Sequence, residues 1–238
     1  MKLIAIEGSG MTASVALIDE DKLICEYTAD YKKTHSETLM PMFDTLVKTV
    51  DLDLSEVDAV AISSGPGSFT GLRIGSATAK GLAEALNKPI VEVPTLAAMA
   101  YGIYDSSDLI VPIMDARRMQ VYTGGYEFSK NGSGEIEFNN VIEDKAVAIE
   151  ELVSELNELG RDVIFLGDGV PVMKDKIEEL AAFKRAYAPA GFNRQKAGNV
   201  ASLGMKLFKE GKSVAAFEHK PEYLRKSQAE RERAEKNA

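Results

Sequence analysis

One order of elements occurs twice along these 238 residues, and this limits the folds open to the chain more than any other feature. Lys2–Glu7, Ala13–Asp19 and Lys22–Ala29 are short apolar runs of strand type, separated by turn residues Gly8-Ser9-Gly10 and Glu20-Asp21. A helix is expected within 36–50, a buried-type strand at 57–63, a helix at about 70–86, a strand at 89–93 and a helix at 95–104. The second half repeats the order, with strands at Leu109–Asp115, 119–128 and 135–142 and a helix at 146–159. A strand at 162–166, a helix at 171–180 that opens on Pro171, and a last helix at 198–210 stopped by Gly211 complete it.

Both halves therefore read βββαβα. The expected fold is an α/β duplication of the actin-like ATPase type (the ribonuclease H-like fold of sugar kinases and Hsp70), in which nucleotide sits between the halves. The expected divisions are an N-terminal subdomain, 1–105, a C-terminal subdomain, 106–224, and a charged tail, 225–238.

Composition excludes several classes. The chain is 45% hydrophobic and 27% charged, which fits a globular protein and neither a disordered nor a collagen-like one. A single cysteine, Cys25, excludes a disulfide scaffold and fits a reducing compartment. With 28 Lys and Arg against 37 Asp and Glu, the net charge of −9 does not suit a protein that wraps nucleic acid alone. The run after Lys2 is stopped by Glu7 and Gly8, so no signal peptide is expected, and no apolar stretch reaches the roughly 20 residues of a membrane helix. A cytoplasmic protein without a membrane partner is expected.

The loop Gly65-Pro66-Gly67-Ser68-Phe69-Thr70-Gly71-Leu72-Arg73 joins a buried strand to a helix. Its backbone N–H groups and the helix dipole suit an anion, but equally the glycines suit a tight strand-to-helix turn. It matches neither a dinucleotide fingerprint nor a Walker A loop. In the helix that follows, Gly71, Gly75, Ala79 and Ala83 recur every four residues and form a smooth stripe, open to another helix or to the chain's own sheet. In the helix within 36–50, Leu39, Met40, Met42, Phe43, Leu46, Val47 and Val50 cover an arc of about 160°. That is wider than the ~100° one core requires, so a partner or deep burial is expected. Pro41 predicts a late start or a kink there.

Metal chemistry finds no pattern. The chain has two histidines, His35 and His219, in no paired motif. His35 reads as a cap or surface residue and Cys25 as a small core residue. A peptidase reading finds no nucleophile, metal pair or base. For phosphoryl transfer, Glu7 stands at the end of the first strand beside Ser9, and Asp115 is its counterpart in the second half. Gly167-Asp168-Gly169 would be the loop that meets adenosine. No Lys or Arg lies beside Gly8–Gly10 in sequence to hold phosphate, so a degenerate, vestigial cleft is expected.

Several segments in order then resemble one family: LIAIEGSGMTASVAL from Leu3, HSETLMP from His35, SSGPGSFTGLRIG from Ser63, MDARRMQVY from Met114, FLGDG from Phe165 and PEYLR from Pro221. The chain resembles the bacterial TsaB (YeaZ) family across most of its length. The resemblance implies a degenerate actin-like fold and a part in making threonylcarbamoyladenosine next to the tRNA anticodon. It implies a non-catalytic subunit that pairs with the catalytic TsaD, is joined by the ATPase TsaE, meets tRNA only through the complex, and forms a homodimer when alone. No cofactor of its own is implied: ATP, Mg and metal belong to the partner subunits. The family's partner surface uses the first two helices. Here these carry His35, Leu39, Met40, Met42, Phe43, Leu46, Val47 and Val50, then Gly71, Leu72, Gly75, Ala79 and Leu82. Glu7 departs from the family's usual Asp. The alternative is an autonomous small ATP-dependent kinase that uses Glu7, Asp115 and 167–169.

Overall fold

The computed structural model describes residues 1–225. The expected charged tail therefore lies outside the described residues, except for Arg225. The first half forms β1 (Lys2–Glu7), β2 (Ala13–Asp19), β3 (Lys22–Ala29), α1 (His35–Thr49), β4 (Val57–Gly65), α2 (Phe69–Leu86), β5 (Ile90–Pro94) and α3 (Thr95–Tyr101). The second forms β6 (Leu109–Asp115), β7 (Gln120–Lys130), β8 (Ile136–Ala148), α4 (Ile149–Leu159), β9 (Val163–Leu166), α5 (Val170–Leu180), β10 (Arg185–Tyr187) and α6 (Ala197–Lys209).

The two sheets share one topology. Their orders are β3-β2-β1-β4-β5 and β8-β7-β6-β9-β10. In each, the first strand pairs antiparallel with the second and parallel with the fourth. This is the duplicated actin-like α/β architecture expected from the element order.

Strand alternation divides the core. Ile4 and Ile6 of β1 face a cluster under α1 and α2, whereas Leu3 and Ala5 face one that holds α3 and α6. On β6, Ile110 and Met114 join that second cluster, while Leu109, Val111 and Ile113 pack under α4 and α5. Helices α3 and α6 thus lie between the sheets and share one core with both.

Helix α6 falls within the expected 106–224 subdomain. The helix packs on β1 and β2 of the first sheet, with Gly204 so close to the sheet that an added Cβ would lie 3.0 Å from Ala61 Cβ. The segment after it stays with the first half: Val214 N–H donates to the Ile90 carbonyl at 2.9 Å, and Glu222 N–H to the Ser64 carbonyl at 2.7 Å. Segment 197–225 thus packs mainly on the first sheet while sharing the core between the sheets and reaching Ala116 through Arg225.

Two local expectations also change. Helix α1 does not start late; it begins at His35 with Pro41 inside it, and the Glu37 carboxylate accepts the Thr34 N–H at 3.1 Å. The fourth helix begins at 149, because Lys145–Ala148 remain in the ladder opposite Gln120–Thr123.

Candidate functional site

The glycine turns meet where the two halves join. Between β1 and β2, Glu7 is 1% exposed, and its Oε1 accepts Ser9 N–H at 2.5 Å and Ser9 Oγ–H at 2.6 Å. Burial raises the Glu7 carboxyl above the ordinary carboxylate range, opposed by the bonds from Ser9. The carboxylate expected in a vestigial cleft is thus folded back onto its own turn.

The Gly65–Arg73 loop closes over the same turn. Ser68 N–H donates to the Ser9 carbonyl at 2.7 Å, and Gly71 N–H to Ser68 Oγ at 3.3 Å. These are two of the four N–H groups at the start of α2 that an anion could use. A Cβ on Gly67 would overlap the Ser9 carbonyl, and one on Gly71 the Gly8 carbonyl. The glycines at 67 and 71 thus serve a tight turn packed on Gly8 and Ser9.

Gln195 bridges to the second half. It is 1% exposed, lies against Gly10, and donates through Nε2 to Asp168 Oδ1 at 3.5 Å. Burial raises Asp168 above the usual range, and Asp115 nearby adds to the shift. Gly167 has φ +113 and Gly169 N–H donates to the Ile113 carbonyl at 3.0 Å. Asp115 accepts Arg117 N–H at 2.8 Å and pairs with its guanidinium at 3.3 Å. Asp115 and Asp168 lie near one another, and Gln195 links them to Gly10 of the turn that carries Glu7 and Ser9; their polar groups are largely engaged with the chain itself.

The helical stripes are sorted by the sheet. Leu39, Phe43 and Leu46 of α1 and Leu72 and Ala79 of α2 are buried in the chain's own core. Gly75 is buried too, with a Cβ position 3.3 Å from Ile62 Cδ1. The expected small-residue stripe of α2 thus faces its own sheet and is not open to a partner. The opposite face carries Ile74, Ala77, Gly81 and Ala85, half-buried or exposed. On α1, Met40 is 46% exposed, Pro41 is exposed, and Met42, Val47 and Val50 are half-buried, as is Leu82 of α2. Ala77, Gly81 and Ala85 escape a reading of the sequence because two small-residue stripes run along α2, and only the position of the sheet tells them apart.

His35 is neither a cap nor a surface residue. It is 8% exposed, and its ring packs where a Cβ on Gly8 would come within 2.9 Å of Cδ2. Burial lowers its imidazole below the ordinary range. Cys25 is only half-buried, at the margin of the α1 core.

His219 does more than its sequence context signals. It is fully buried between Glu92 Oε1, 2.6 Å from Nδ1, and Ser76 Oγ, 2.9 Å from Nε2. The order resembles a nucleophile, base and orienter. Ser76, however, lies inside α2 and is 6% exposed, so the array fastens the C-terminal segment and presents no nucleophile. Past it, Tyr223 stacks on Phe69 with centroids 4.3 Å apart, and Arg225 reaches the Ala116 carbonyl at 2.7 Å.

These features define a class: a duplicated actin-like protein whose cleft turns are held by its own side chains and backbone. Comparison with known proteins narrows the class. The family model for TsaD, tRNA N6-adenosine threonylcarbamoyltransferase, matches residues 22–233. The tRNA threonylcarbamoyladenosine biosynthesis protein TsaB of Bacillus subtilis (strain 168) is 36% identical over 230 residues, covering 97% of this chain and 96% of that protein. YeaZ from Pseudomonas aeruginosa superposes with a TM-score of 0.77 at 28% identity, covering 94% of this chain and 99% of that one. The ethanolamine utilization protein EutJ from Carboxydothermus hydrogenoformans shares the fold, with a TM-score of 0.50 at 11% identity over 87% of this chain and 90% of its own. The chain belongs to the TsaB (YeaZ) family. Among the described residues, no helix is long and apolar enough to cross a membrane.

Proposed function

We propose that this chain is a non-catalytic subunit of the machinery that makes threonylcarbamoyladenosine in tRNA. It pairs with TsaD, the transferase, and the ATPase TsaE joins the pair. ATP, Mg and the catalytic metal belong to those partners, and tRNA is met within the complex. The observation that carries this reading is the occupied cleft: Glu7 is held by Ser9, and the start of α2 is held by Ser9 and Ser68.

His219 is consistent with it: a metal ligand needs a free ring nitrogen, and both nitrogens of His219 are in hydrogen bonds.

The pairing surface is the outer face of α1 and α2: Met40, Met42, Val47 and Val50 with Ile74, Ala77, Gly81, Leu82 and Ala85. Small residues there let a partner helix approach closely, and methionines adapt to its shape. The same face serves a homodimer when the chain is alone, so the two states compete. Light scattering after size exclusion tests this. The chain alone is expected to run as a dimer, and addition of TsaD is expected to convert it to a one-to-one complex. A homodimer that persists beside free TsaD contradicts the proposal.

A further inference from the structure

We propose that the junction of α2, the β6–β7 turn and the C-terminal segment is a contact site for unpaired RNA. The inference rests on the functional reading above and adds a place for RNA on this subunit.

Three segments far apart in sequence meet there. Arg73 of α2 donates through Nε to the Tyr223 hydroxyl at 3.3 Å, and its guanidinium carbon lies 5.7 Å from the Phe69 ring centroid. Tyr223 lies flat on Phe69, with 4° between the rings, and is 38% exposed. Two residues on, Arg225 donates to the Ala116 carbonyl at 2.7 Å, next to Arg117 and Arg118. Those two arginines are exposed, and Arg117, Arg118 and Met119 have φ of +66, +56 and +56, a run of left-handed residues.

The charges at this junction are unusual for so acidic a chain. Among the described residues, Arg161, Arg185 and Arg194 each pair with a carboxylate. Arg73 and Arg225 are held by neutral oxygens, which fix the side chain without cancelling its charge. Arg118 is in no ion pair with a described residue, and Arg117 pairs only with Asp115. Held arginines beside an exposed, stacked aromatic ring supply both needs of single-stranded RNA: neutralised phosphates and a face on which a base stacks. An acidic peptide would use the arginines but not the ring. Ser68 and Thr70, both exposed at the start of α2, extend the polar margin.

The test uses the assembled complex with TsaD and a tRNA transcript, with affinity measured by fluorescence anisotropy at several salt concentrations. The Arg118→Gln, Arg225→Gln double variant leaves the outer faces of α1 and α2 untouched. It is expected to form the one-to-one complex, to bind tRNA roughly tenfold more weakly, and to lower the log–log salt slope by about 1.4, near 0.7 per lost phosphate contact. An unchanged affinity and slope in an intact complex overturns the site. So does polyglutamate of matched charge binding as tightly as tRNA, which would assign the arginines to an acidic protein. If the wild-type chain does not pair with TsaD, the functional reading fails by itself. The same slope comparison on the chain alone at low salt then decides the site: a lower slope in the variant supports it and an equal slope rejects it.

Discussion

An Ala77→Glu, Gly81→Arg variant is expected to lose pairing with TsaD by more than ~100-fold, about 3 kcal/mol, while folding at least as well as the parent. Both positions are exposed on the outer face of α2, and a Cβ on Gly81 meets nothing within 4 Å. Replacing a mid-helix glycine with arginine raises helix propensity by roughly 0.8–1 kcal/mol, so the fold itself gives no reason for a loss. In a complex, the same change puts a long charged side chain where a partner helix would approach closely. Isothermal titration of TsaD, with urea unfolding of each variant as control, measures both effects. Pairing within about threefold of the parent would move the interface off α2. Charges at Phe43 or Gly75, the positions the sequence pattern suggests, would not make this test. Both are buried in the chain's own core, so such changes unfold the protein before they report on an interface.

Gly71→Ala is expected to lower stability by about 2 kcal/mol or more, although alanine is the better helix former. An added methyl group there would overlap the Gly8 carbonyl, which is backbone in the turn leaving β1. Neither side yields easily, because β1 is the middle strand of its sheet. Gly81→Ala provides the contrast: the same substitution in the same helix, into open space, is expected to add up to roughly 1 kcal/mol. Urea midpoints with unchanged slopes would show opposite signs for the two. A stable Gly71→Ala protein would mean that the motif loop and the Gly8–Gly10 turn can separate, and that the cleft is not closed by the chain itself.

The strand and helix order, apart from the three-residue β10, was legible because each longer element carries its own period and its own turn residues. Boundaries failed where pairing overrode local pattern. Residues 146–148 look helical with 149–159, yet they complete a long ladder with β7. The equivalence of Glu7 and Asp115 as ends of the first strand of each half was legible, but the bonds that occupy these groups were not. Ser9 turning back on Glu7 and Gln195 crossing between halves are long-range or conformational facts with no periodic signal. The return of α6 to the first sheet was hidden for the same reason: amphipathicity shows that a helix is buried, not against which sheet. PEYLR at 221–225 was visible only as a resemblance. The structure supplies its physical meaning, with Glu222 on Ser64, Tyr223 on Phe69 and Arg225 on Ala116.

The central claim is that this chain activates a transferase without a reacting group of its own. Its most direct test is threonylcarbamoyl transfer to tRNA by TsaD and TsaE supplied with threonylcarbamoyl-AMP, with either the wild-type chain or a Glu7→Gln, Asp115→Asn variant added. A carboxamide in place of the Glu7 carboxyl would keep the acceptor oxygen that Ser9 engages, so the variant is expected to fold and to support transfer within about twofold of wild type. A loss of more than ~tenfold in transfer, with the one-to-one complex still present, would contradict the account and place working chemistry in this subunit's cleft.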